Sequence, residues 1–257
     1  MVAHTRRIPW GMVASCQRRN PVGEAGGRAV CSLAAMHIGL DRMRLLASTW
    51  QREGDSRAIF AEAYGTMTSN VLDTLESGAF RDPAWVARLL DRFADLYFEA
   101  VDAHAAGADC PEAWRIAFDA APRSDLHPLQ HLFLGVSAHI NRDLAFALAD
   151  VLDDWHEFDP MARAGRHDDH EAVNSVIART IDQVQADVIV PHAPAMGVLD
   201  RVLGGVDEWL FSRLIAGWRE AVWMDAVDLL ESDGASRQVV ERRIEARAVR
   251  MAGLLDW

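Results

Sequence analysis

The sequence lacks the features that would place it in several large functional classes. Its 257 residues include three cysteines, Cys16, Cys31 and Cys110, far apart and odd in number. No C-x-x-C pair occurs, which excludes a cysteine-based zinc or redox motif, and no disulfide framework is expected. Basic charge is scarce: 26 Lys and Arg stand against 38 Asp and Glu, a net charge of −12. Nucleic acids and anionic membranes require a basic surface, so neither is expected as a partner. No window is apolar and uncharged for long enough to span a membrane. The N-terminal MVAHTRRIPWGMVASCQRRN has no apolar centre of the signal-peptide kind, and the expected location is the cytoplasm. Alternating strand patterns and internal repeats are missing. So are the G-x-S-x-G, P-loop, G-x-G-x-x-G and H-E-x-x-H signatures.

What is present is helical periodicity, with apolar residues recurring every three or four positions. CSLAAMHIGLDRMRLLASTWQ and SRAIFAEAYGTMTSNVLDTLESG read as helices, the second with Ser56 as N-cap and Gly78 as stop. Asp82-Pro83 opens a third helix, which closes near Gly107. CPEAWRIAFDAA is short and ends at Pro122, and SDLHPLQHLFLGVSAHINRDLAFALADVLDDW is the longest and most apolar. A polar loop with Pro160 and Gly165 follows, then DHEAVNSVIARTIDQVQADVIV, a turn at PHAPAMG, and two closing helices. The last is charged and either projects or caps the bundle. The prediction is an all-α fold: a leader over residues 1–30 expected to be disordered, then one helical bundle domain over 31–257. It has about seven to nine helices, with the AHINRD helix central.

Within that central helix, residues 127, 131, 135, 139 and 143 are His, His, Gly, His and Asp. Each step of four advances the helix by about 40°, so only neighbours in this series share a face. His139 and Asp143 are such a pair, one turn apart. Gly135 leaves room above the imidazole for a ligand, a metal or a crossing helix. Placing His139, Asn141 and Asp143 in a core-facing segment is costly unless partners are supplied. Two readings follow. Either His139 and Asp143 are metal co-ligands or a base and its orienting carboxylate, or they form a polar network that fixes a helix junction.

A second polar cluster, RHDDHEAVNSV, reads as a helix start, with Asp169 and Asn174 available to face His139 and Asp143 across the bundle. Arg219 and Glu220, between Trp218 and Trp223, are candidates to reach the Asp143 region, and Tyr64 and Thr68 could add hydroxyls. Asp91, Asp95 and Glu99 recur every four residues and read as a solvated face. The nine tryptophans read mainly as core.

From about Phe60 to Leu229 the chain resembles an uncharacterised, mainly actinobacterial all-α family. The matching stretches are YGTMTSNV, FADLYFEA, GVSAHINRDLAFAL, DHEAVNSV and WREAVW. The family usually reads G-x-N-A-H-I-N-x-D-L, so Ser137 stands where Asn is usual, and His170 replaces an aromatic. The resemblance implies a helical fold and points at His139, Asn141, Asp143, Asp169 and Asn174 without supplying a reaction. A fainter similarity, the H-x-x-x-D pair on a buried helix, is to the helical fold of zinc phospholipase C and its nuclease relatives. The downstream histidines of that pattern are not evident here.

The expected function is a small-molecule enzyme with His139, Asp143, Asn141 and Asn174 as catalytic residues. One divalent metal, zinc, iron or manganese, would sit on His139, Asp143 and Asp169, with Arg219, Glu220 and Tyr64 behind them. Hydrolysis, elimination or cyclisation is the matching reaction class. The alternative is a non-catalytic ligand- or protein-binding domain. The sequence does not fix substrate or oligomeric state.

Overall fold

A computed structural model describes residues 24–192 and 206–254, with side chains described over 37–192 and 210–254. Among the described residues there are eight helices, no strands and one packed bundle. None of these helices is long and apolar enough to cross a membrane.

Helix α1 (Glu24–Glu53) takes in residues 24–30 of the expected leader, whose first 23 residues lie outside the described ones. Helix α2 (Arg57–Glu76) has Ser56 at its cap position, but the Ser56 side chain makes no capping bond. The neighbouring Asp55 carboxylate instead accepts from the Arg57 N–H at 2.9 Å. Gly78 then ends the helix with φ of +76°, a conformation that favours glycine. Helix α3 (Pro83–Ala105) starts as predicted, Asp82 accepting from the Trp85 N–H at 2.9 Å with proline in the first turn.

Helix α4 (Glu112–Asp119) is short. Helix α5 runs through Pro128–Ala138, a π-helical segment His139–Asp143, and Leu144–Val151. Helix α6 comprises Pro160–Val184, a second π-helical segment Gln185–Ile189, and Val190–His192. The sequence reading assigns a loop around Pro160 and a helix start to residues 166–170; the start in fact lies about two turns earlier. Asp159-Pro160 repeats the Asp82-Pro83 device, Asp159 accepting from the Ala162 N–H at 2.8 Å. The predicted PHAPAMG turn is helical at Pro191 and His192 and otherwise lies outside the described residues. Helices α7 (Val206–Leu230) and α8 (Gly234–Gly253) close the chain.

Helix α5 is central, as expected: its first segment packs on α2, α4 and α8, its last on α3 and α7. Leu134, Leu144 and Leu148 are fully buried. Truncating any of them to alanine typically costs about 2–5 kcal/mol. The charged α8 caps the bundle rather than projecting, burying Val240, Ile244, Ala248 and Ala252. One part of the core gathers Leu144, Leu148, Trp85 and Trp223; another gathers Phe60, Tyr64, Tyr97 and Trp114. Five tryptophans, Trp50, Trp85, Trp114, Trp155 and Trp223, are buried, in keeping with the core role read for them.

The space above Gly135 is taken by the crossing helix. A Cβ at position 135 would lie 2.5 Å from the Phe60 ring. That ring is held among Tyr64, Tyr97 and Trp114 and has little room to retreat. Gly135→Ala should therefore cost about 1–3 kcal/mol in urea denaturation, with partial recovery in Gly135→Ala/Phe60→Leu.

The acidic face of α3 is less solvated than expected. Glu99 is exposed and pairs with Arg92 at 2.9 Å, whereas Asp91 and Asp95 are half-buried. Burial, and then the Asp95 charge, push the Asp91 carboxyl up to about 6. The unfolded chain, with an aspartate near 3.9, gives up this proton first as pH rises, so Asp91 weakens the fold progressively between about pH 4 and 6. Asp91→Asn should stabilise the protein at pH 7 by about 1 kcal/mol, burial being partial, and the gain should vanish below about pH 4.

Candidate functional site

The HINRD stretch does not continue the α-helix. Its turn is widened, the Leu144 N–H reaching back to the His139 carbonyl, five residues earlier. Such π-helical turns are concentrated at functional positions in helical proteins. The wide turn still leaves His139 and Asp143 adjacent, with His139 Nδ1 3.0 Å from Asp143 Oδ2.

Asp143 is fully buried and its two oxygens are heavily used. Oδ2 also accepts from Trp114 Nε1 of α4 at 2.7 Å, and Oδ1 accepts from the Arg142 guanidinium at 2.7 Å. Arg142 in turn bonds Glu245 of α8 at 2.5 Å. Because the carboxylate can only accept, the imidazole proton sits on Nδ1. Burial holds the His139 pKa below the usual histidine value, with the Asp143 bond and charge pulling the other way. The ring is therefore neutral at pH 7, and its Nε2 carries a lone pair. That Nε2 is buried and has no hydrogen-bond partner.

Aromatic rings fix the imidazole plane. Phe93 stacks on it at 3.5 Å between centroids and 9° between planes, and Tyr64 meets it edge-on at 4.4 Å. Phe60, Trp114 and Tyr97 complete the box at 5.8, 5.8 and 6.0 Å. Burial, and then the Asp143 charge, raise the Tyr64 phenol well above its ordinary pKa, so it stays protonated. Thr68, predicted beside it, borders the same cavity, with its hydroxyl directed to the Met43 sulfur at 3.8 Å.

His139 lines a cavity of about 260 Å³ walled by α2, α3, α5, α6 and α7. The walls are apolar except for Tyr64, Thr68, Trp85, His139, Asp169, Gln185 and Arg219. Residues from both π-helical segments, His139 and Ile140 on one side and Gln185 and Ile189 on the other, border it. Trp85 also leaves its ring N–H without a partner. The cavity thus has one unused acceptor residue and one unused donor residue in a greasy wall.

The other predicted residues do not converge on the dyad. Asn141 donates to Ser137 Oγ at 3.3 Å, and the Asn141 backbone carbonyl accepts from Arg247 at 3.1 Å. Asp169 lines the cavity, but its two oxygens accept from the backbone N–H groups of Arg81 and Asp82, each at 2.8 Å. It seals the chain entering α3. Arg219 does not reach Asp143. Its Nε donates to Asn174 Oδ1 at 2.7 Å and its NH2 to the His170 carbonyl at 2.6 Å. With these neutral partners, burial lowers its pKa to about 10, Glu171 acting in the opposite sense. His170, in place of the family's usual aromatic, supplies Nε2 to the Arg219 carbonyl at 3.2 Å. Glu220 pairs instead with His167, at 2.9 Å.

Among the described residues, one group of three His, Cys, Asp or Glu residues brings candidate metal-ligating atoms within 4.8 Å of one another: His167, Glu171 and Glu220. The set predicted from sequence, His139, Asp143 and Asp169, is not such a group. The sequence reading missed Trp114, Trp85 and Phe93 as parts of the dyad's surroundings, since nothing in local spacing joins α3 and α4 to His139. The His167–Glu171 spacing of four was available as a signal once the helix start is set at Pro160.

Asp143 serves three donors, one of them charged, and His139 serves one acceptor. Asp143→Ala should therefore cost about 3–5 kcal/mol in urea denaturation. His139→Phe, which keeps an aromatic ring in the box, should cost about 1–2 kcal/mol. Equal losses would contradict this division of roles.

No curated protein and no solved structure matches the chain. Residues 39–256, nearly the whole bundle, match a family described as of unknown function: the chain belongs to the DUF5995 family.

Proposed function

We propose that the domain is a small-molecule enzyme in which His139, held by Asp143, acts as a general base on a largely apolar substrate. One observation carries this reading: His139 Nε2 is buried without a partner in a residue that lines the cavity, while Nδ1 is tied to a carboxylate. Leaving a buried acceptor unsatisfied costs about 1–3 kcal/mol, and a purely structural network gains nothing from it. A substrate hydroxyl or acidic C–H placed there would lose its proton to Nε2. Asp143 would stabilise the imidazolium that forms.

The arrangement favours a general base over a metal co-ligand pair. A metal shared by His139 and Asp143 would compete with Trp114, Arg142 and the imidazole itself for the carboxylate oxygens. Proton transfer asks for no such exchange. The reaction class remains hydrolysis, elimination or cyclisation. Substrate size follows from the cavity. An apolar cavity of about 150 Å³ holds benzene, so 260 Å³ suits roughly ten non-hydrogen atoms. Trp85 would donate to a carbonyl or ether oxygen on that molecule.

A non-catalytic binding domain is the second reading, favoured by the largely apolar walls of the cavity. Phenol, indole and phenyl acetate separate the two. At about 100 times Kd, a ligand should stabilise the wild type by roughly 2.7 kcal/mol in thermal denaturation. Val136→Phe, which fills the cavity, should abolish that gain while the protein stays folded by circular dichroism. For an enzyme, His139→Gln should bind phenyl acetate yet lose its hydrolysis, in which Nε2 takes a proton from an attacking water and phenol and acetate are released. Binding without turnover in the wild type would move the assignment to the second reading, and no stabilisation by any of the probes would overturn both.

A further inference from the structure

A second polar cluster lies apart from the dyad, where α6 crosses α7. His167 and Glu171 stand one turn apart on α6, and Glu220 faces them from α7. We propose that His167, Glu171 and Glu220 bind a divalent transition-metal cation of the zinc or cobalt type. An imidazole with two carboxylates is a donor set such ions accept, and two carboxylates with a neutral imidazole balance the charge of the ion.

The geometry needs only side-chain adjustment. The three ligand atoms lie within 4.8 Å of one another, and His167 Nε2 is already 2.9 Å from Glu220 Oε2. Bonds of about 2.0–2.2 Å would set neighbouring ligand atoms about 3.3–3.6 Å apart in a tetrahedron, within reach of two glutamate rotamers. A second observation points the same way. Glu171 Oε1 is buried and has no hydrogen-bond partner, although it belongs to a group that requires one. The imidazole is also oriented: Trp223 packs edge-on against His167 at 5.0 Å between centroids. His170, on the same helix, is not a fourth donor, because both its nitrogens face Arg219. The side chains of His167 and Glu220 are 34% and 51% exposed, so an ion has a path in and a water molecule can complete its coordination.

The test is titration of the full, untagged chain with Co²⁺ and Zn²⁺, followed by the visible absorption of bound cobalt and by calorimetry. One equivalent should bind saturably to the wild type. His167→Ala and Glu220→Gln, both at partly exposed positions, should remain folded by circular dichroism and weaken binding at least tenfold. Glu171→Gln, which keeps the side-chain shape, should do the same. Absence of saturable binding in the wild type, or affinity unchanged in Glu171→Gln and Glu220→Gln, would overturn the assignment. His139→Phe should leave this binding unchanged, so the two sites are tested independently.

Discussion

The buried carboxylate of Asp143 is the constraint on which the centre of the bundle depends. A charge removed from water must be matched by donors, or the group neutralises or the fold fails. Asp143 is matched three times, by His139, Trp114 and Arg142, and Arg142 continues to Glu245. These bonds join α4 to α5 through Asp143 and α5 to α8 through Arg142. They also decide the chemistry of His139. Its proton is committed to Asp143, its other nitrogen is left bare, and the rings of Phe93 and Tyr64 leave the imidazole one orientation.

The helical framework places His139 in the wall of a cavity. An uninterrupted bundle of this size would close its core with interdigitated side chains. Here two long helices carry π-helical turns, and both turns border the same cavity. A wide turn pushes the following residues out of α-helical register and so changes which side chains they present to the facing helices. The cavity walls also include Arg219 and Asp169. Their polar atoms are bound to Asn174, His170 and the backbone at Arg81 and Asp82, so they secure the walls from behind.

Much of the fold was legible in the sequence, and the reasons are local. Periodicity placed the helices, and Asp82-Pro83 and Gly78 marked real boundaries. Asp159-Pro160 carries the same signal, and with the helix starting there the cluster at 166–170 lies well inside it rather than at its start. The dyad was legible because His139 and Asp143 are one turn apart on one helix. What the dyad meets across the bundle was not. Asp169 and Asn174 have the chemistry of site residues, but one captures two backbone N–H groups and the other a buried guanidinium. No spacing along the chain records such long-range partners. The Gly135 gap was legible as a gap; that Phe60 occupies it depends on how α2 crosses α5.

The central claim is that His139 presents a bare Nε2 in the cavity wall. The most direct measurement is ¹⁵N NMR of the protein with labelled histidine imidazoles, at pH 7 and without added ligand. The account predicts a protonated Nδ1 and an unprotonated Nε2 for His139, assigned by the loss of its signals in His139→Phe. A proton on Nε2, or on both nitrogens, would contradict it.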